Sequence, residues 1–348
     1  MDCPEGNCII PSLTREEKRK RYGHDPANPQ ETWEGLRNNI YSIGRSYLDN
    51  HCTAAETESR LHDLWDELIH VAKMTPAHSP EHDRLVVLIL EARELGSFPI
   101  NQKDRDALPV TKACEVATMP NGQRLWADLP YLVQEIYAAW AKESMRFSSQ
   151  ERQSLAVLTA KLCAVGVCPD QLSCCALWLF KETLETARDD VSLPSAKPEE
   201  GSNTIVELLP ACLEWLKQSS HKLVKLSLAG YDPATALAAD LNDSQTAPGE
   251  LAVKANINQP GFSLPRWLFW RQGFKDLYRC GHEPLIRMAR ACFEASIFSG
   301  LNVGLTVPGE QIYLDRLFKA LDKELAARGK KGSVDASEIE IDMDWDKE

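Results

Sequence analysis

The chain has no run of about 18 apolar residues, the length a helix needs to cross a bilayer. Its longest apolar stretch is Leu85–Leu90, so no membrane span is expected. It lacks a leader of the secretory kind, because Met1 is followed by Asp2, Cys3, Pro4 and Glu5 with no apolar segment behind them. Positive charge is outnumbered, 39 Lys and Arg against 51 Asp and Glu. The formal net charge is −12, which argues against affinity for a polyanionic backbone, and nucleic acid is not an expected partner. Half of that charge sits in residues 335–348, where seven acidic residues face one Lys. The glycine patterns that cradle phosphates are missing, as is the Gly-x-Ser-x-Gly nucleophile elbow. No nucleotide cofactor and no serine nucleophile can therefore be assigned.

What is present is ordinary for a folded protein: 348 residues, 43% hydrophobic and 26% charged, enough for a sizeable core. The 11 cysteines are odd in number and follow no leader. They read as free, mostly buried thiols in a reducing compartment, the cytoplasm, with Lys18-Arg19-Lys20-Arg21 as a candidate nuclear import signal.

Helix signals recur along the chain. Trp33, Leu36, Ile40, Ile43 and Tyr47 share one helix face within Glu31–Asn50. Thr53 with Glu56 is a capping box ahead of the stripe Leu61, Leu64, Trp65, Leu68 and Ala72. Ser79-Pro80 opens a helix that stops near Gly96. The break from Ser97 to Asp128 holds the one β candidate, a hairpin around Asn121-Gly122. A helix over Leu129–Met145 follows, with Asp128 read as its N-cap. Ser148 with Glu151 and Thr204 with Glu207 are further capping boxes, and Asp170 starts a helix running to about Arg188. Residues Asn242–Pro260 read as loop with one helical turn. Three closing helices, Leu264–Cys280, Pro284–Ser299 and Pro308–Arg328, each precede a Gly suited to a left-handed cap. The expected fold class is all-α, an irregular bundle of about eleven helices. The expected organisation is a flexible segment over 1–28, a single helical domain over 29–330 with two lobes divided by a linker near 192–203 as the alternative, and an acidic disordered tail over 331–348.

Two stretches read as a signature. One is Leu125-Trp126-Ala127-Asp128-Leu129-Pro130, followed by Trp140. The other is Phe262-Ser263-Leu264-Pro265-Arg266-Trp267-Leu268-Phe269-Trp270, continuing to Phe274. Together they resemble a family of filamentous-fungal proteins catalogued only as a domain of unknown function, over roughly Trp33 to Leu325. The resemblance implies a helical fold and brings no established activity, so no functional residue is carried over from it. It also implies a link to biosynthetic gene neighbourhoods, where proteins of such orphan families are sometimes found.

Several constellations bear on chemistry. Cys163, Cys168, Cys174 and Cys175 form the densest thiol cluster but lack a Cys-x-x-Cys knuckle. Adjacent Cys174 and Cys175 point about 100° apart on a helix, so small buried hydrophobes are expected and no metal or cofactor. Glu67-x-x-His70 puts a carboxylate and an imidazole on one helix face, but a di-iron bundle needs a second such pair and further Glu residues. His62, Asp63 and Asp66 on the same helix read as its charged outer face. Asn242-Asp243-x-x-Thr246-x-x-x-Glu250 matches the magnesium-binding string of helical terpene synthases, yet Pro248 and Gly249 interrupt the helix that chemistry requires.

Trp267, Trp270 and Phe274 fall on one helix face and read first as core. Two functions from different classes stay open. One is a helical interaction or scaffold protein with a protein partner, in which the alternating Ile339, Ile341 and Met343 of the tail could add to a sheet edge. The other is a metabolic protein, of the kind found in fungal secondary metabolism, holding or transforming a small apolar molecule between helices. Trp126, Arg266, Trp267, Trp270 and Arg271 are its candidate pocket residues.

Overall fold

A computed structural model describes residues 29–107, 115–188, 203–236, 243–279 and 283–329. The expected flexible segment, the tail and all of the linker near 192–203 except Asn203 lie outside these residues. The fold is all-α: the described residues form helices joined by turns and three isolated bridge pairs, with no strand. The chain divides into two compact units, Met1–Ala139 and Trp140–Glu348.

In the first unit, α1 (Pro29–Leu48), α2 (Ala54–Met74) and α3 (Glu81–Glu94) pack on one another. The face foreseen on α1 is the one that folds inward, with Leu36, Ile40, Ile43 and Tyr47 buried. The α2 stripe Leu61, Leu64, Trp65, Leu68 and Ala72 is likewise buried, each large apolar side chain contributing about 1.5–3 kcal/mol. The Thr53–Glu56 capping box forms. A second device holds the same helix end: Asp104 of α4 (Gln102–Ala107) accepts the Ala54 N–H at 3.0 Å and the Tyr47 hydroxyl at 2.8 Å.

The segment between α4 and α5 (Leu132–Ala138) departs from the sequence reading. Bridges Ser97–Trp126, Pro99–Val116 and Thr118–Arg124 stitch three short stretches together. The hairpin turns through Pro120-Asn121 and closes on Gly122, whose N–H donates to the Met119 carbonyl at 2.9 Å. Asp128 is not the N-cap expected of it. Its carboxylate bends back to accept the Arg124 N–H at 2.8 Å and the guanidinium at 2.6 and 2.9 Å. Pro130 disfavours helical backbone at Leu129, so the helix starts three residues later. Its cap is Tyr131, in the left-handed region. The expected helix over Leu129–Met145 then ends early, passing into a π turn at Ala139–Glu143 and a 3-10 turn at Ser144–Arg146.

The second unit is built on α6 (Ser149–Ala164), which packs along α8 (Ile205–Ala229). Both start at the capping boxes read from the sequence, Ser148–Glu151 and Thr204–Glu207. Helix α7 (Pro169–Phe180) runs into a π turn at Lys181–Glu185 instead of continuing to Arg188. Short helices α9 (Pro233–Ala236), α10 (Asp243–Thr246) and α11 (Glu250–Lys254) precede α12 (Leu264–Tyr278), capped by Ser263 as foreseen. Helices α13 (Glu283–Ile297) and α14 (Glu310–Ala327) follow. Gly300 does not take the left-handed cap expected after α13, since its φ is −72°. Its requirement is close approach: a Cβ there would lie 2.5 Å from Val307 Cγ2 and 2.8 Å from Glu310 Oε2. Gly281 lies outside the described residues.

Candidate functional site

Among the described residues the second unit holds three fully buried arginines, Arg152, Arg266 and Arg271, and they differ in their partners. Arg266 opens α12 and reaches the π turn. Its Nε–H and Nη2–H donate to the two oxygens of Glu185 at 2.7 and 2.9 Å, a bidentate pair with both side chains 0% exposed. Nη1 donates to the carbonyls of Thr246 at 2.9 Å and Gly261 at 2.7 Å, and Nη2 also meets the Ala247 carbonyl at 3.4 Å. All five guanidinium donors are thus committed. Glu185 in turn accepts the indole N–H of Trp270 at 2.6 Å and the Gly249 N–H at 2.5 Å. Gly249 is needed there, because a Cβ would sit 2.6 Å from that of Glu185.

Trp267 and Trp270 meet edge-to-face, and Phe180 and Phe262 flank Trp270 in the same manner. Arg271, next on α12, donates to the Pro308 carbonyl and lies 3.8 Å from Glu310. Burial pulls its pKa down to about 10 and pushes the Glu310 carboxyl above the ordinary range. Glu310 also accepts the N–H groups of Gly300 and Leu301 at 3.1 and 2.9 Å. The structure therefore brings four of the five candidate pocket residues, Arg266, Trp267, Trp270 and Arg271, together on one helix. There they join the core and two buried ion pairs.

Arg152 is held differently. Its Nη2 donates to the carbonyls of Ser144 at 2.7 Å and Phe147 at 3.0 Å and to Asn203 Oδ1 at 2.8 Å. Its Nη1 donates to the Glu207 carbonyl at 3.3 Å. It forms part of the wall of a half-open cleft of about 240 Å³ with Trp140, Trp178, Leu179, Glu182 and Gln245. Two indoles and two leucines, Leu179 and Leu208, give the cleft an apolar body, and the guanidinium, a carboxylate and the amides of Asn203 and Gln245 give it a small polar set. That is the composition of a small-molecule site. Of these residues, sequence reading singled out only Trp140, as part of a signature. The others come from α6, α7, its π turn, α8 with the chain just before it, and α10, and no sequence spacing links these elements.

In the first unit, Trp126, the fifth candidate pocket residue, is fully buried and meets Trp65 edge-to-face with centroids 6.4 Å apart. The Trp65 indole donates to the Pro130 carbonyl at 2.7 Å. Trp126, Leu129 and Tyr131 have φ of +63°, +51° and +67°, so the signature element turns through the left-handed region three times without glycine. Such backbone costs of order 1 kcal/mol or more per residue and persists because the surroundings enforce it.

A carboxylate–imidazole pair in this unit joins α2 to α5. His62 Nδ1 lies 2.6 Å from Glu135 Oε1 of α5, with the imidazole tilted 38° against the Tyr131 ring and the centroids 4.4 Å apart. Glu67 accepts from Asn39 at 3.1 Å, and His70 lines a separate cleft of about 200 Å³ with Trp33, Met74 and Leu85.

The remaining sequence candidates resolve simply. Cys163, Cys174 and Cys175 are buried, Cys168 is half-buried, and all four are free thiols. Burial pushes Cys163 up to about 11 and Cys175 well above its ordinary value, so neither is a ready nucleophile. Among the described residues no group of His, Cys, Asp and Glu could hold a metal ion. The string from Asn242 to Glu250 is split: Asn242 lies outside the described residues, Thr246 ends α10, and Glu250 starts α11 and accepts the Ala187 N–H at 2.7 Å. No described helix is long and apolar enough to cross a membrane.

Fold and site together define an all-α protein with two buried arginine–glutamate pairs and a small aromatic cleft. The chain belongs to a family of proteins of unknown function, DUF3632, whose profile matches residues 65–274. It is 26% identical over 301 residues to a protein of Penicillium oxalicum named oxopyrrolidines biosynthesis cluster protein G, covering 83% of this chain and 78% of that one. No solved structure matches it.

Proposed function

We propose that this protein holds or transforms a small, largely apolar metabolite in the cleft between Trp140, Trp178 and Arg152, as a member of a secondary-metabolite pathway. The carrying observation is the cleft itself: apolar walls with a few polar groups among them. Similarity to a protein named for a biosynthesis cluster supports the metabolic setting. The free, buried thiols fit a reducing compartment such as the cytoplasm.

The test is native mass spectrometry of protein purified gently from its own host, followed by denaturing analysis of what it carries. A retained small molecule, lost when Trp178 is replaced by Ala, is the expected result. A bare chain travelling with a stoichiometric protein would refute the reading. One observation favours that second reading, of a protein-interaction module. Helix α14 buries only Glu310 and Tyr313, while Phe318, on the same stripe as Leu314, Leu317, Leu321 and Leu325, is 59% exposed.

A further inference from the structure

We infer that the molecule taken by the cleft is an organic acid whose carboxylate lies against Arg152. The inference rests on the cleft reading above and adds the ligand's charge. Arg266 and Arg271 each have a glutamate partner, at 2.7 and 3.8 Å. Arg152 is as buried, at 1% exposure, yet every oxygen it meets is neutral: three backbone carbonyls and one side-chain amide. Its Nε–H and second Nη1–H find no acceptor among the described residues. A buried cation is unfavourable until an anion or a full set of hydrogen bonds compensates it.

The acids nearby are committed elsewhere. Glu151 accepts the Ser148 N–H and hydroxyl at 2.9 and 2.8 Å, closing the box that starts α6. Glu207 does the same for Thr204 at 2.8 and 2.9 Å, so only its backbone carbonyl serves Arg152. Glu182, on the cleft wall, is paired with Arg188 at 2.8 Å. Among the described residues, the one arginine of the three with no carboxylate in hydrogen-bond or ion-pair contact is the one that lines a cleft. One guanidinium charge calls for one compensating anionic charge, which a carboxylate supplies and a dianionic phosphate would exceed. The indoles of Trp140 and Trp178 suit a flat apolar body behind it. The cleft, at about 240 Å³, has room for one small ring system and not for a drug-sized ligand.

The experiment titrates the full chain with naphthalene-2-carboxylate and with its neutral isostere naphthalene-2-carboxamide, by calorimetry and tryptophan fluorescence. The acid is expected to bind at least about tenfold more tightly. Trp178→Ala should weaken both probes, and Arg152→Gln should bring the acid down to the amide. Equal affinity of the two probes for the unsubstituted protein would overturn the acid and leave the cleft reading standing. Tight acid binding that Trp178→Ala leaves unchanged would place the anion elsewhere and overturn the assignment. Binding of neither probe would overturn both. If Arg152→Gln unfolds, the comparison of acid with amide on the unsubstituted chain still decides the matter.

Discussion

Glu185→Gln is the sharpest probe of how the second unit is held together. Glu185 accepts four donors: Arg266 Nε at 2.7 Å, Arg266 Nη2 at 2.9 Å, the Trp270 indole at 2.6 Å and the Gly249 N–H at 2.5 Å. Glutamine keeps the shape but turns one oxygen into an NH2 group. That group must then face two of these donors, and the Arg266 guanidinium loses its counter-charge at 0% exposure. Breaking a buried pair from one side costs about 3–5 kcal/mol. For a unit of this size the melting temperature should fall by roughly 6–20 °C. Urea unfolding followed by circular dichroism and tryptophan fluorescence measures the loss directly. Replacing both partners, Glu185→Leu with Arg266→Met, should cost less than the sum of the single changes, because no charge is stranded. A Glu185→Gln protein within about 1 kcal/mol of the parent would refute the reasoning, since the pair would then be held no better than one in water.

Two further outcomes follow from the same structure. Gly249→Ala should destabilise by about 1–3 kcal/mol in thermal unfolding, because the new Cβ meets Glu185 Cβ at 2.6 Å and its carbonyl oxygen at 2.9 Å. Burial also pushes the Tyr131 and Tyr313 hydroxyls up to about 12. Folding therefore favours their neutral form: this contribution is intact below about pH 10, where an unfolded tyrosine titrates, and is lost as pH rises from there towards about 12. Unfolding measured between pH 9 and 12 should show the decline, and Tyr131→Phe and Tyr313→Phe should each make it shallower.

Much of the scaffold was legible because its signals are local. A capping box needs two residues three apart, and the boxes at Thr53, Ser148 and Thr204 all form. The buried face of α1 follows from a period of 3.6 residues, which needs no knowledge of the partner. Where reading failed, a non-local demand won. Asp128 looks like an N-cap from its neighbours, but Arg124 claims its carboxylate and Pro130 moves the helix start. Gly300 looks like a left-handed cap, but Val307 and Glu310 require it for space. The sites were legible only as residue types. Arg266 and Trp270 stood out as a signature, yet their role depends on Glu185, 81 and 85 residues away in sequence and carried on a π turn with no sequence mark.

The cleft arginine shows how a local signal acquires a distant consequence. Ser148–Glu151 and Thr204–Glu207 can each be read in isolation as helix starts. Arg152 sits one residue after Glu151, and the backbone carbonyl of Glu207 accepts one of its protons at 3.3 Å. Each box turns its carboxylate toward its own helix end, and so withdraws it from the guanidinium between them. Helix capping contributes roughly 1 kcal/mol per box. Swinging either glutamate across to Arg152 would forfeit that and leave orphan N–H groups at a helix end. The local optimum of both helices thus leaves Arg152, among the described residues, with no carboxylate in direct contact, at the wall of the cleft where an external carboxylate can reach it. Removing one box tests this arrangement against its alternative. Ser148→Ala weakens the hold on Glu151; if Glu151 then turns to Arg152, the preference of the cleft for acid over amide should fall while the chain stays folded. An unchanged preference would mean that capping is not what keeps the acids away.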